Sequence, residues 1–261
     1  MLFGKTIVVT GAASGIGART AEFCAQLGAD VIGIDRREPK GPVAGFINGD
    51  LSSKSGVEAI LAQLPGRFDA LCNVAGLSGS TGAAVTLAVN FYGLRALTEG
   101  AAAHIREGGA VVNVASVAGY GWRANLNRAK SMVAIEGIPD LGKVLADHSI
   151  DDKEGYPLSK ELLLLWTQKA AHDARFKARG IRVNAVSPGP VETPILGQFR
   201  QVFGDTRVDQ DIAAVGRAGT PSDIAPVVAF LCSDGARWIN GANVAADGGL
   251  EAAVNSQVLG F

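Results

Sequence analysis

The sequence predicts an α/β fold, a doubly wound parallel sheet of about seven strands with helices on both faces, in a single domain over residues 1–261. Three observations favour it. Short apolar runs of strand length alternate with helical stretches along the whole chain. A glycine-rich turn separates the first of these strands from the first helix. No internal repeat or Pro/Gly-rich linker divides the chain, so one domain is the simplest organisation.

The first strand is predicted at Lys5–Thr10 and the second at Asp30–Asp35. A helix from about Gly15 to Leu27 lies between them, and Gly28 closes it. The remaining predicted elements are a strand at Gly45–Gly49, a helix at Ser55–Leu64, strands at Asp69–Asn73 and Ala110–Ser116 with a helix at about Val89–Ile105 between them, a strand at Ile181–Ser187, a helix at Pro221–Cys232 and a strand at Asn243–Ala246. This alternation is typical of right-handed βαβ units.

The segment Gly119–Gly155 interrupts that rhythm. It mixes charged residues with apolar ones such as Trp122, Met132 and Leu141, and Asp140–His148 has a helical pattern. Its apolar content is too high for a disordered loop. We interpret it as a helical insertion of the domain at about 119–155, packed beside the cleft, with these apolar side chains in the pocket wall.

Composition excludes several classes of protein. The 261 residues are 48% apolar, which suffices for a large core, and the net charge of −1 indicates no nucleic-acid or membrane-surface partner. The apolar runs are too short to span a membrane and the N-terminus has no signal-peptide pattern, so we expect a cytoplasmic protein. The three cysteines are interpreted as free buried thiols, and the three histidines have no metal-ligand spacing, so no metal site is predicted.

Tyr156 and Lys160 are four residues apart, which places both side chains on one face of a helix. The ammonium can then stabilise a phenolate and lower the pKa of the tyrosine from its free value near ~10. Such a tyrosine can take a proton from an alcohol or give one to a carbonyl. Alone the pattern is weak, because a solvated helix face explains most matches. Its occurrence after a glycine-rich turn makes it informative.

The glycine-rich turn follows the first strand and opens the first helix, which lets backbone amides approach a pyrophosphate. The context favours nucleotide binding over a tight structural turn, and so a Rossmann-type sheet. The residues expected to contact the nucleotide there are Gly11, Ser14, Gly15, Ile16 and Gly17.

Asp35 ends the second strand, 18 residues after Gly17, where a carboxylate can accept hydrogen bonds from ribose hydroxyls. Its charge would repel a 2′-phosphate, and this repulsion favours NAD over NADP. Arg36 and Arg37, which follow it, could nevertheless bind such a phosphate. Asp35 could instead be a solvated carboxylate at the end of a strand. Further cofactor contacts are predicted at Asp50 and Leu51 after the third strand, and at Asn73, Ala75 and Gly76 after the fourth.

These motifs together resemble the short-chain dehydrogenase/reductase family from Lys5 to Gly249. The shared motifs are TGxxxGxG, Asn73–Gly76, Asn90, Ser116, Tyr156 with Lys160, Ser187–Pro194 and Asp247–Gly249. Two departures are Val74, where the family usually has a second asparagine, and an interval of forty residues between Ser116 and Tyr156, which is much longer than usual.

The resemblance implies roles for four residues. Tyr156 would be the general acid–base, Lys160 would lower its pKa and bind the nicotinamide ribose, and Ser116 would hold the substrate oxygen. Asn90 would hold a water that links Lys160 to solvent. Alternatively, Ser116 could merely end a strand and Asn90 could satisfy helix backbone. Cofactor contacts implied near the nicotinamide are Pro188, Gly189, Val191 and Thr193.

The resemblance implies an NAD(P)-dependent alcohol dehydrogenase or carbonyl reductase. The long interval and the stretches Gly189–Leu196 and Arg237–Gly241 resemble members that act on hydrophobic alcohols, aromatic, allylic or steroid-like. An NADPH-dependent carbonyl reductase and a non-catalytic nucleotide-binding protein remain as alternatives. We expect a homodimer formed through about Pro221–Ala246, with a tetramer as the alternative, because the insertion would lie where relatives pack a second subunit.

Overall fold

The computed structural model describes residues 1–260, which contain a sheet of seven strands. The strands are β1 (Thr6–Thr10), β2 (Asp30–Asp35), β3 (Gly45–Asn48), β4 (Phe68–Asn73), β5 (Ile105–Val114), β6 (Arg182–Pro188) and β7 (Asn243–Ala246). They lie in the order β3-β2-β1-β4-β5-β6-β7 and pair in parallel throughout. The predicted fold class is confirmed. The strand order reverses between β1 and β4, where a doubly wound sheet forms its binding crevice.

Helices connect the strands. They are α1 (Gly15–Gln26), α2 (Lys54–Leu61), α3 (Ala83–Leu87), α4 (Leu94–Ala101), α5 (Leu126–Val133), α6 (Leu141–Asp147), α7 (Gly155–Ala170), α8 (Ala174–Lys177), α9 (Leu196–Phe203), α10 (Asp205–Val215), α11 (Pro221–Cys232) and α12 (Leu250–Leu259). Within residues 1–260, none of them combines the length and the apolarity needed to cross a bilayer.

The region between β4 and β5 differs most from the predicted elements. The helix expected from Val89 already begins at Ala83, and a π-helical turn at Ala88–Gly93 joins α3 to α4. Ile105, expected at the end of that helix, is instead the first residue of β5. A π turn holds one residue more than an α turn, which shifts the side chains that follow, and such turns are frequent at functional sites.

The sheet separates two apolar cores. Val8, Leu71 and Val111 point into one core together with α2, α4 and α7. Their neighbours along the strands face the other core, which α1 and α11 cover by packing against each other. Because side chains alternate across a strand, the central strands are buried on both faces and read as nearly continuous apolar runs.

The three cysteines are free and buried in the second core, as predicted. The fold also brings together two that are 160 residues apart, since the Sγ atoms of Cys72 and Cys232 lie 3.3 Å from each other. Burial raises the pKa of Cys24, and the hydrogen bond with Cys232 together with burial raises that of Cys72. Both thiols are therefore protonated and poorly nucleophilic.

The segment between Ser116 and Tyr156 contains a 3₁₀ helix at Val117–Arg123 followed by α5 and α6. It packs on the outside of the domain, with α5 against α7 and α6 against α3. Arg95 of α4 is buried and donates to the carbonyl oxygens of Val133 (3.0 Å), Gly137 (3.0 Å) and Ile135. A guanidinium thus satisfies carbonyls left open where α5 ends.

Candidate active site

A cavity of about 460 Å³ opens at the carboxyl ends of the central strands. All of the predicted site residues except Asn73 and Asn90 line it, namely Gly11, Ser14, Gly15, Ile16, Gly17, Asp35, Arg36, Asp50, Leu51, Ala75, Gly76, Ser116, Tyr156, Lys160, Pro188, Gly189, Val191 and Thr193. Residues spread over 180 positions of sequence thus meet in one cleft at the edge where such sheets bind ligands.

The glycine turn forms one end of the cleft. Gly11 has φ +72° and its amide donates to the Ile34 carbonyl at 2.8 Å, which ties the turn to β2. A Cβ at Gly17 would lie 2.0 Å from the Gly11 carbonyl oxygen, so only glycine permits the turn to fold this tightly onto α1. The amides at the start of α1 are left for an anionic ligand in the cleft.

Asp35 helps to build this end of the cleft. Its Oδ2 accepts from the Ala13 amide at 3.1 Å and its Oδ1 accepts from the Arg37 amide at 3.0 Å. Each carboxylate oxygen can accept a second hydrogen bond, so a ribose hydroxyl can still be bound. Arg36 and Arg37 also line the cavity, which places two cations beside the carboxylate.

Thr10 is a site residue whose role the sequence reasoning missed. Its Oγ1 accepts from the amides of Val74 and Ala75 at 3.0 and 3.1 Å. One buried hydroxyl therefore joins the ends of β1 and β4 at the point where the strand order reverses. The threonine before the first glycine was visible in the sequence, but its partners lie more than sixty residues away.

Ser116 and Tyr156 meet at the other end of the cavity. Ser116 follows β5, where its Oγ accepts from the Ala118 amide at 3.2 Å and caps the 3₁₀ helix. Burial raises the pKa of Tyr156 to about 12, and the hydrogen bond with Ser116 partly lowers it. Both side chains line the same cavity, so the two hydroxyls can bind the same substrate oxygen.

Lys160 lies beneath the tyrosine. Its Nζ is 5.7 Å from the centroid of the Tyr156 ring and donates to the Val114 carbonyl at 2.8 Å. Burial lowers the pKa of Lys160 to about 8. Burial nevertheless dominates at Tyr156 and raises its pKa, so the lowering of that pKa expected from the ammonium stays a prediction.

Two predicted residues lie behind the cavity wall rather than in it. Asn73 is buried, and its amide donates to Thr98 Oγ1 and Asn113 Oδ1, both at 2.8 Å. The Asn73 side chain thus ties β4 to α4 and β5 and does not line the cavity, and the predicted cofactor contact stays a prediction for its backbone. The Asn90 side chain binds both the amide and the carbonyl of Leu77, at 2.8 and 3.0 Å, and holds that loop.

The substrate end of the cavity has an aromatic wall. Phe199 and Phe203 of α9 line it, and their ring centroids lie 4.7 and 6.0 Å from that of Tyr156. Leu196 and Val208 add aliphatic surface. The sequence reasoning missed these residues, since α9 and α10 were not predicted.

The expected contribution of the insertion to this wall is wrong. No residue of 119–155 lines the cavity. Met132 is fully buried in the first core, and Trp122 and Leu141 pack against that core. The physical reason is the anchoring of this segment to α4 and α7, which turns its apolar side chains away from the cleft.

Two family models match the chain. Residues 5–128 match the model of the short chain dehydrogenases, and residues 137–251 match the one described as enoyl-(acyl carrier protein) reductase. The chain is 39% identical to coniferyl-alcohol dehydrogenase of Pseudomonas sp. (strain HR199 / DSM 7063), over 95% of this chain and 97% of that one. The chain belongs to the short-chain dehydrogenase/reductase family.

Other relatives agree with this membership. 3-alpha-hydroxysteroid dehydrogenase/carbonyl reductase of Comamonas testosteroni is 30% identical, over 94% of this chain and 96% of that one. The crystal structure of 3-alpha-hydroxysteroid dehydrogenase from Pseudomonas sp. B-0831 complexed with NADH superposes with a TM-score of 0.81 at 31% identity, covering 97% of this chain and 99% of that one. The predicted family and the predicted nicotinamide-dependent oxidoreductase class are confirmed.

Proposed function

We propose that the protein oxidises a hydrophobic alcohol, aromatic, allylic or steroid-like, with NAD to the aldehyde or ketone, and catalyses the reverse reaction. The observation that carries the proposal is that Ser116 and Tyr156 line one cavity together with Phe199 and Phe203, whose rings lie beside that of Tyr156. The names of the relatives support the substrate class, since one acts on coniferyl alcohol and another on 3α-hydroxysteroids.

The cleft fits a dinucleotide. It runs from the glycine turn past Asp35 and Asp50 to Ser116, and it passes the start of α1, where backbone amides favour phosphate. Thr193 and Gly189 border the same cavity on the side of β6. NAD, when bound there, would accept hydride from the carbinol carbon.

In the proposed mechanism, Ser116 donates a hydrogen bond to the substrate oxygen and Tyr156 exchanges a proton with it. A phenol with a raised pKa is protonated at neutral pH, so it is ready to act as the acid in carbonyl reduction. Alcohol oxidation needs the phenolate and should therefore gain from higher pH. Lys160 is the cation nearest the Tyr156 ring among the residues that line the cavity. Asn90 acts as a positioning residue, because it holds the loop at Leu77, which lines the cavity.

Cofactor choice follows from the adenosine end of the cleft. Asp35 offers a carboxylate to the ribose and repels a 2′-phosphate, which supports NAD. Arg36 and Arg37 line the same region, and this observation favours an NADPH-dependent carbonyl reductase as the second candidate. A non-catalytic nucleotide-binding protein is disfavoured because Ser116, Tyr156 and Lys160 all face one cavity.

A substrate panel tests the proposal. NADH formation would be followed with coniferyl alcohol, cinnamyl alcohol, a 3α-hydroxysteroid and ethanol as a small control, each with NAD and with NADP. We expect turnover of at least one hydrophobic alcohol, higher kcat/KM with NAD than with NADP, and little activity with ethanol. Ethanol as the best substrate would contradict the substrate class, and a higher kcat/KM with NADP would contradict the cofactor assignment.

We also propose a homodimer formed through α11 and β7. β7 is at the edge of the sheet, so its outer backbone groups are available for pairing. Trp238, between these elements, is 94% exposed, and Phe230 of α11 is 38% exposed. Exposed aromatic residues beside an open sheet edge are typical of a subunit interface.

A further inference from the structure

Helix α9 is weakly attached to the rest of the domain. None of its eight residues is buried, yet it carries the two phenylalanines that contact Tyr156. Arg200 forms ion pairs with Asp205 (3.4 Å) and Asp209 (2.7 Å), both of α10, so these contacts join α9 only to the next helix. Something else must fix the position of the aromatic wall over the tyrosine.

Gln198 supplies a connection across the cleft. Its Oε1 accepts from Ser78 Oγ at 2.7 Å and from Ser80 Oγ at 3.3 Å. Ser78 is 1% exposed, and its Oγ also accepts from the Ser80 amide at 3.3 Å. The serines belong to the loop after β4, next to Leu77, which Asn90 holds at both its amide and its carbonyl. The loop that Gln198 contacts is therefore itself held in place by hydrogen bonds.

We propose that Gln198 is a positioning residue that latches α9 to the Ser78–Ser80 loop, holds Phe199 and Phe203 over Tyr156 and so makes the enzyme selective for alcohols that carry an aromatic ring. The selectivity rests on the proposed function of the site. The latch itself does not depend on the proposed function, because its hydrogen bonds join two walls of the cleft whatever the substrate is.

The selectivity follows from the geometry of the three rings. Phe199 is tilted by 59° and Phe203 by 61° relative to Tyr156, in the edge-to-face range that aromatic rings favour. A substrate ring that enters beside Tyr156 meets the same faces and edges. This contact is preorganised only while α9 stays in place, because a wall that must first be ordered contributes less to binding. An alkyl substrate gains little from ring orientation.

Kinetics of matched variants test the latch. Gln198→Leu removes the acceptor, Gln198→Glu keeps an acceptor oxygen, and Gln201→Leu is a control on the same exposed helix. We expect Gln198→Leu to lower kcat/KM for cinnamyl alcohol by about 2- to 10-fold, the value of a hydrogen bond or two, and to change that for 2-hexen-1-ol less than about 2-fold. Gln198→Glu should restore most of the loss, and Gln201→Leu should behave as wild type.

A double-mutant cycle separates the latch from a general packing defect. If Gln198 acts through the serine hydroxyl, Ser78→Ala should add little to the loss already caused by Gln198→Leu. Full additivity of the two losses would overturn the proposal. Equal losses for the aromatic and the alkyl alcohol in Gln198→Leu would overturn it as well.

Limited proteolysis reports on the latch without any enzymatic activity. Trypsin cleaves after Arg200 only when α9 opens locally, so Gln198→Leu should be cut there about 2- to 10-fold faster, and Gln201→Leu at the wild-type rate. A wild-type rate in Gln198→Leu would overturn the latch. If the wild-type protein oxidised no alcohol but the cleavage rate responded, the proposed function would fail and the latch itself would stand.

Discussion

At the scale of single residues, the two titratable groups at the centre of the site have pKa values shifted from their ordinary ones. Burial raises the pKa of Tyr156 and lowers that of Lys160, so each is driven towards its neutral form. Keeping a buried ammonium with one carbonyl partner is costly to folding. Sites that need perturbed proton affinities commonly carry such costs.

Replacing Lys160 should therefore stabilise the fold at neutral pH. The folded pKa of about 8 lies below the ordinary value of 10.5, so the charged lysine costs about 3 kcal/mol below pH 8. That cost disappears as the pH rises past 10.5, where both states are neutral. Lys160→Met removes this cost but leaves the Val114 carbonyl without its donor, which costs about 1 kcal/mol. The net effect should be a rise of about 2 kcal/mol in the free energy of unfolding at pH 7.

Urea unfolding of both proteins at pH 7 and near pH 10.5 measures this effect. The gain at pH 7 should vanish at the higher pH, while turnover of the variant is lost at both. A variant that is less stable than wild type at pH 7, or one whose gain is the same at both values, would contradict a buried charged lysine.

Asp35 should decide between the two cofactors. Asp35→Asn keeps an acceptor oxygen for the Ala13 or Arg37 amide but removes the charge that repels a 2′-phosphate. We expect the ratio of kcat/KM for NADP to that for NAD to rise by about 10-fold or more, since close like charges cost over ~1.4 kcal/mol. Steady-state kinetics with both cofactors give the ratio. An unchanged ratio would show that Asp35 only shapes the turn.

At the scale of elements, the sequence was most informative where a strand or helix is buried. β2 and α11 have the predicted bounds, because an apolar run marks β2 and Pro221 marks the start of α11. β7 also has the predicted bounds, although none of its residues is buried. α9 was not predicted, and the structure explains why. Its apolar residues Leu196, Phe199 and Phe203 do recur at helical spacing, but the helix has only eight residues, and so short a run does not distinguish a helix from a loop.

The insertion shows a different limit. Its helical content and its place between Ser116 and Tyr156 were readable from composition and spacing. Its direction of packing was not, because that depends on partners distant in sequence, such as Arg95 beneath Val133 and Gly137. For the same reason Asn73 was expected in the cleft, although its amide is used by Thr98 and Asn113.

Arg95 should anchor the insertion. Arg95→Met leaves three carbonyl groups of residues 133–137 without their donor, which should cost about 3 kcal/mol of unfolding free energy. Hydrogen exchange over 126–137 should accelerate, while kcat/KM stays within about 2-fold because this segment does not line the cavity. Arg123→Met, which removes an arginine stacked 4.4 Å from the Trp122 ring, is the control. Unchanged exchange in Arg95→Met would contradict the anchor.

At the scale of the whole molecule, the two exposed aromatic residues near β7 should report on assembly. We expect light scattering to give twice the mass of the chain for the wild-type protein. Phe230→Glu places a charge on the proposed α11 interface and should give monomers at micromolar concentration, because an unpaired charge in an interface opposes association. A wild-type tetramer or monomer would contradict the proposed dimer.

The central claim is that Tyr156 exchanges the proton of a hydrophobic alcohol in a cleft that binds NAD. The most direct measurement compares Tyr156→Phe with the wild type, in NADH formation from the best alcohol of the panel and in NADH binding by fluorescence titration. Because only the hydroxyl is removed, we expect turnover to fall by about 10²- to 10⁴-fold while NADH affinity stays nearly unchanged. Retention of most of the turnover by Tyr156→Phe would contradict the claim, since the proton would then pass through another group.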